Sequence, residues 1–194
     1  ILPMPKIVDH DARRRELIEA SWQVIATDGL EGVTMRKIAA EAGCTTGRLT
    51  HYFADREALI LASLRASYDV TGDRARSSIA NDTDHKAKLL HFAEEMLPAD
   101  EERLREWKVW IAFWSAATVD KALAVENDTR HQAWADELAD LIKGAAPAVN
   151  ARQEADLLIG LINGVGLHAA VNPTKENLDR ARRLLRGHIK QLTG

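Results

Sequence analysis

Residues 34 to 53 read Thr-Met-Arg-Lys-Ile-Ala-Ala-Glu-Ala-Gly-Cys-Thr-Thr-Gly-Arg-Leu-Thr-His-Tyr-Phe. Two apolar stripes of helical period lie in this stretch, Ile38, Ala39 and Ala42 on the first and Leu49 and Phe53 on the second. Gly43 stands between them, where the chain has to turn sharply. Thr34 supplies an N-cap for the first short helix, and the second covers about 46 to 53. Each is only about 12 Å long, too short to stand alone in water. Both must therefore pack on the helix that precedes them, about 9 to 28, which carries Leu17, Ala20, Ser21, Val24 and Ile25 on one stripe and stops at Asp28-Gly29. This is helix-turn-helix geometry.

The exposed side of the second short helix sets it apart from a generic helical hairpin. Thr45, Thr46, Gly47, Arg48, Thr50, His51 and Tyr52 are small or polar, and no carboxylate occurs from Ala42 to Ala54. With 29 acids in 194 residues, about two would be expected there, and a carboxylate facing phosphate would be repelled. The chain as a whole is no attractor for phosphate backbones, with a net charge of -3 and a pI of about 6.2. Even residues 1 to 60 carry eight Lys or Arg against nine Asp or Glu. Any nucleic-acid contact must come from sorted charges, with Arg36, Lys37, Arg48 and Arg56 on or beside the face that would meet a duplex.

Outward from this segment, helical periodicity recurs to Leu192 and no alternating strand pattern or internal repeat is found. The longer helices are expected over about 55 to 80, 84 to 97, 101 to 119, 121 to 143, 151 to 171 and 175 to 192. They are separated by Asn81-Asp82-Thr83-Asp84, Pro98, Asp120-Lys121, Gly144 with Pro147, and Asn172-Pro173, with Asn150 and Thr174 as N-caps. The reading is all-α, about nine helices: a three-helix helix-turn-helix domain at 1–54, then a helical bundle at 55–194 that binds ligand and dimerises. The fourth helix bridges the two parts.

The first sixty residues resemble the TetR family of bacterial one-component repressors. The resemblance is carried by Gly29, Thr34, Ile38-Ala39, Gly43-Cys44-Thr45, Gly47, Leu49, Tyr52-Phe53, Arg56-Glu57 and Leu59. Cys44 stands where valine is usual, Thr45 where serine is common, Thr50 where tyrosine is frequent and Arg56 where lysine is usual. The resemblance implies that Arg36, Thr46, Gly47 and Arg48 read base edges in the major groove, arginine to guanine being the strongest pairing. It implies that Thr34, Thr45, Thr50, His51, Tyr52 and Arg56 hold phosphates and fix register. Lys6, Arg13, Arg14 and Arg15 either add backbone contacts or form a solvated face. Tyr52 has a core aromatic as its alternative role, and Cys44 is a packing residue or a redox thiol.

A single recognition helix reads few base pairs, so a symmetric homodimer on a palindromic double-stranded operator is expected. The last two helices are its candidate interface, through Leu158, Leu161, Ile162 and Val165 on one and Leu178 and Leu185 on the other. Gly160, Gly164 and Gly166 would allow close helix approach despite their poor helix propensity. The alternative is an ordinary intramolecular core. In the middle of the bundle Trp107, Trp110 and Trp114 share a helix face beside Phe113, three of the five tryptophans within eight residues. Such a stripe is either a bulky core or an aromatic wall for a cation. The stretch from Trp107 to Ala117, and Gly160-Leu161-Ile162-Asn163-Gly164 with Leu167 and Ala169-Ala170, resemble the BetI-like branch of the family, whose choline-responsive repressor controls glycine betaine synthesis. Trp110, Phe113, Trp114 and His168 are the candidate contacts for a small-molecule effector, cationic on this reading.

Enzyme chemistry finds no support. The chain has no Glu-x-x-His pair, Gly-rich phosphate loop or serine elbow; no cofactor and no metal is expected. Asp128 and His131 share a face without further ligands, and the Asn-Asp-Thr sequences at 81 and 127 are chance glycosylation patterns. One cysteine, no signal pattern and no run of eighteen apolar residues argue for a cytoplasmic protein without a membrane span. Three function classes remain: a repressor released from its operator by an effector, a DNA-binding regulator without effector, and a helical small-molecule-binding protein that does not act on DNA. The acid-free recognition helix separates the first two from the third.

Overall fold

Side-chain caps decide where the helices of this protein begin. In the computed structural model, which describes residues 10–194, Thr34 and Thr45 accept the backbone N–H of Lys37 and Arg48 at 3.2 Å. Asp84, Asp100, Asn150 and Thr174 cap the later helices in the same way. The elements are α1 (His10–Asp28), α2 (Met35–Glu41), α3 (Thr46–Tyr52), α4 (Arg56–Ser78), α5 (His85–Glu95), α6 (Glu101–Ala117), α7 (Lys121–Ala145), α8 (Ala151–Val171) and α9 (Lys175–Thr193). No strand occurs among the described residues. Lys6 and Ile1 to Pro3 lie outside them. The chain divides into two compact units that meet at Ala66 and Ser67, within α4.

In the first unit, α1 ends at Gly29 with φ +69° and the α2–α3 turn passes through Gly43 with φ +60°. Both are left-handed conformations that an L side chain resists. Leu17, Ile25, Ile38, Leu49 and Leu59 are completely or almost completely buried, so the two seven-residue helices gain from α1 and α4 the burial they cannot supply themselves. Ser21 and Ser63 are buried as a pair, their hydroxyls 2.6 Å apart, with the backbone carbonyls of Ile18 and Leu59 as further acceptors.

In the second unit, α8 packs against α7, α9 and α6, around a core that includes Phe92, Trp107, Leu138, Ile142, Leu158 and Leu185. At 21 residues, with an 18-residue stretch of mean hydropathy 1.3, α8 is the one described helix long and apolar enough to cross a bilayer. It is instead a packing centre, with Ala155, Leu158, Ile162 and Ala169 buried. A second buried feature is charged. Glu106 on α6 takes both guanidinium nitrogens of Arg74 at 2.6 and 2.7 Å and the Thr71 hydroxyl at 3.1 Å. Arg74 and Arg103 also share Glu95. Bidentate geometry of this kind offsets the desolvation of the carboxylate.

Candidate nucleic-acid interface and effector cavity

The reading head follows from the capping pattern. Thr34 and Thr45 use their oxygens to accept backbone N–H groups, and a threonine hydroxyl that accepts keeps its own proton to donate outward. Thr34, Arg36, Thr45, Thr46, Gly47, Arg48, Thr50 and His51 are all exposed. Arg36 and Arg48 have no ion pair among the described residues, whereas Lys37 is held by Asp28 at 2.7 Å. A Cβ on Gly47 would meet nothing within 4 Å, so α3 presents bare backbone there. Two predicted phosphate holders are engaged within the protein. The Thr50 hydroxyl donates to the Gly47 carbonyl at 3.0 Å. Arg56 donates to the carbonyls of Val33 and Leu30 at 2.9 and 2.7 Å, which ties the start of α4 to the α1–α2 loop. Tyr52 is half-buried in a ring cluster, 4.6 Å from His10 and 5.3 Å from His51. Arg14 sits over the Phe53 ring at 4.8 Å, so this part of the α1 arginine run braces the head. Cys44 is half-buried.

In the second unit a cavity of about 100 Å³ opens among Tyr68, Met96, Trp110, Trp114, Asn127, His131, Trp134, Ile159, Ile162 and Asn163. The α6 stripe divides in the packed bundle. Trp110 and Trp114, one turn apart, line the space, while Trp107 is buried and donates its Nε1–H to the Met96 carbonyl at 2.8 Å. Phe113, three residues on from Trp110 and so turned about 60° from it, is buried outside the lining. His168 is exposed on α8 and also outside the cavity. Tyr68, Asn127, His131, Trp134 and Asn163 were not among the residues expected. They come from α4, α7 and α8, and no local sequence signal joins them; Asn127 stood out only as a glycosylation-like triplet.

The polar part of the wall is organised around one amide. Tyr68 donates its hydroxyl to Asn127 Oδ1 at 2.8 Å, and Trp114 donates Nε1–H to the same oxygen at 3.1 Å. Because an indole N–H can only donate, this contact fixes which end of the amide is oxygen. Burial pushes the Tyr68 phenol above its ordinary value, so it remains a donor. Tyr68 stacks on Trp110 with centroids 6.0 Å apart, and Trp110 lies 6.4 Å from Trp114. Among the described residues no carboxylate, lysine or arginine lines the space; the aromatic faces contribute negative potential to it.

The predicted dimer residues separate by burial. Leu158 and Leu185 are completely enclosed within the chain and Ile162 almost so; they belong to the intramolecular core, because their side of α8 and α9 faces α7 and α5. Leu161, Val165 and Leu178 are half-buried at its edge. On α8 and α9 the exposed large apolar residues are Leu157, Leu167, Val171 and Leu184. Gly160 and Gly164 lie on the same α8 face as Leu157, with open space where a Cβ would stand. Gly166 differs: its missing Cβ is the space that the Trp107 ring fills.

Residues 17–63 match the family model described as bacterial regulatory proteins, tetR family, and residues 85–194 match that of the BetI-type transcriptional repressor, C-terminal. The chain is 35% identical to the HTH-type transcriptional regulator PksA of Bacillus subtilis, over 97% of this chain and 94% of that protein. It is 28% identical to the HTH-type transcriptional regulator BetI of Paraburkholderia phymatum, over 97% of each. Among solved structures, a transcriptional regulator from Saccharomonospora viridis in complex with choline superposes with a TM-score of 0.82 at 24% identity, over 93% of this chain and 96% of that one.

Proposed function

The chain belongs to the TetR family of bacterial transcriptional regulators, and from that premise we propose that it is a dimeric repressor released from its operator by a small cationic molecule. The family consists of DNA-binding regulators and not enzymes. The observation that carries the effector half of the proposal is the aromatic cavity in the second unit, where Tyr68, Trp110, Trp114 and Trp134 line about 100 Å³ with no carboxylate, lysine or arginine among the described residues. Apolar spaces of comparable size, about 150 Å³, hold a small organic molecule, and aromatic faces attract quaternary ammonium groups. The choline carried by the Saccharomonospora viridis regulator makes choline and betaine aldehyde the first compounds to try.

Residues 1–54 read DNA and 55–194 bind effector and dimerise. Arg36, Thr46, Gly47 and Arg48 face base edges. Thr34, Thr45, His51 and Tyr52 fix register on phosphates, and Arg56 holds the head in shape. The exposed α8 and α9 face, with Leu157, Gly160, Leu161, Gly164 and Leu184, builds a two-fold that puts reading helices in successive major grooves, about 34 Å apart, on a palindromic operator in the cytoplasm. Release follows from linkage. Tyr68 in the cavity wall and Arg56 at the reading head are residues of one helix, α4, so a ligand that prefers one placement of Tyr68 biases α4. Operator affinity then falls by the ligand's preference between the two states.

Selection of binding sites from random DNA, followed by titration of the selected duplex complex with choline or betaine aldehyde, tests the proposal. A palindromic site and release at millimolar ligand, with matching calorimetric heat, are expected. A non-palindromic site refutes the dimer. A palindrome with neither heat nor release refutes the cationic effector and leaves a DNA-binding regulator without it.

A further inference from the structure

We infer that the effector presents a hydrogen-bond-accepting oxygen to the Asn127 amide nitrogen, so that its class is a compact carbonyl or hydroxyl compound and not a bare alkylammonium ion or hydrocarbon. This deepens the effector-cavity reading above and rests on it. Asn127 is oriented by its neighbours. The donor-only indole of Trp114 and the Tyr68 hydroxyl both converge on Oδ1, which occupies the acceptor end of the side chain. The Nδ2 group, with two protons to give, has no protein acceptor among the described residues, and Asn127 lines the cavity.

A second group biases the wall in the same direction. Trp110 Nε1 is buried with no hydrogen-bond partner, on a residue that is 7% exposed. An indole N–H can only donate. The unpaired polar groups on these lining residues are therefore donors, whereas the one oriented carbonyl oxygen is already taken twice. Asn163 and His131 impose no such bias, because the free amide offers both donor and acceptor and the imidazole chooses its tautomer. An occupant without an acceptor that displaces water from the half-buried Asn127 amide leaves its N–H groups unpaired, which costs more than the bond itself is worth. An occupant with a carbonyl or hydroxyl oxygen satisfies them while its other end packs on the indoles.

The discriminating probes differ in that oxygen alone. Acetonyltrimethylammonium carries a ketone, which accepts and cannot donate; isobutyltrimethylammonium has the same outline with a methyl branch in place of the oxygen. Their dissociation constants are read from quenching of tryptophan fluorescence in the full chain. The ketone is expected to bind about tenfold more tightly. Asn127→Asp keeps an acceptor for Tyr68 and Trp114 but replaces the donor, and should abolish or invert that preference. The comparison on the unaltered protein needs no variant to fold. Equal binding of the two probes, or a preference kept in Asn127→Asp, overturns the inference while the effector cavity stands. No binding of either probe at millimolar concentration removes the cavity reading and the inference together.

Discussion

Three glycines on α8 allow one substitution to be run three times with opposite expected outcomes. An ideal Cβ on Gly166 would lie 2.1 and 2.3 Å from two ring carbons of Trp107. Carbon contacts sit near 3.5 Å or more, so the ring would have to retreat by roughly 1.4 Å. Trp107 is 1% exposed and its Nε1–H is bound to the Met96 carbonyl at 2.8 Å, so retreat means both overpacking and a strained or broken bond. Overpacking costs about 2 kcal/mol and the bond about 1, against a helix-propensity gain of about 1 for alanine over glycine. Gly166→Ala should therefore destabilise by about 2 kcal/mol. Nothing lies within 4 Å of a Cβ at Gly160 or Gly164, so there only the propensity gain remains, about 0.8–1.0 kcal/mol in favour of the isolated chain. If these two glycines sit in the dimer contact, the same substitutions weaken dimerisation. Urea denaturation at several protein concentrations, paired with sedimentation, separates the two effects. A neutral Gly166→Ala would refute the packing argument. Gly160→Ala and Gly164→Ala variants that dimerise as tightly as the parent would refute the assignment of that face.

Arg48→Ala should lower affinity for the selected operator by tenfold or more and affinity for random duplex far less, at one salt concentration, because base pairing by arginine contributes about 1–3 kcal/mol of discrimination; equal losses would make Arg48 a phosphate contact. Arg56→Ala should lower the stability of the chain by about 2 kcal/mol, since it leaves the Leu30 and Val33 carbonyls without their charged donor; unchanged stability with a shallower salt dependence of DNA binding would restore the phosphate role. Asp100 gives a pH prediction. Partial burial works against its ionisation, but the Arg103 backbone N–H and guanidinium outweigh it and hold the carboxyl below its ordinary value. The stabilisation is thus present above the unfolded aspartate value, about 3.9, and is lost as pH falls through the folded one. The gap in urea midpoint between the parent and Asp100→Asn, which keeps the cap, should narrow on acidification below about pH 4; a constant gap would exclude the ion pair as its source.

The nine helices of the described residues were legible largely through their boundary chemistry. Thr34, Asn150 and Thr174 cap where threonine and asparagine are expected to, and Gly29 and Gly43 take the positive φ that their positions require. Local signals of this kind act within one turn and survive reading in one dimension. The exposed chemistry of α3 was legible for the same reason, since a seven-residue helix with one buried leucine has little freedom in which side faces out. Arg56 shows the limit. Its position suggested phosphate; that carbonyls more than twenty residues upstream take two of its five N–H groups was not legible locally.

By itself the sequence determined an all-helical chain, the reading head with its sorted charges, and the aromatic concentration on α6, all written in residues close together along the chain. Only the tertiary structure decided which aromatic residues enclose a cavity and which fill the core, because that depends on what α4, α7 and α8 bring opposite. Tyr68, Asn127 and Asn163 are separated by 36 residues or more and share a wall only when the bundle is packed. The same packing buried Leu158 and Leu185 and left Leu157 and Leu184, their immediate neighbours, exposed. A helix turns by about 100° per residue, so an apolar run names the helix that packs, and its partners name the side.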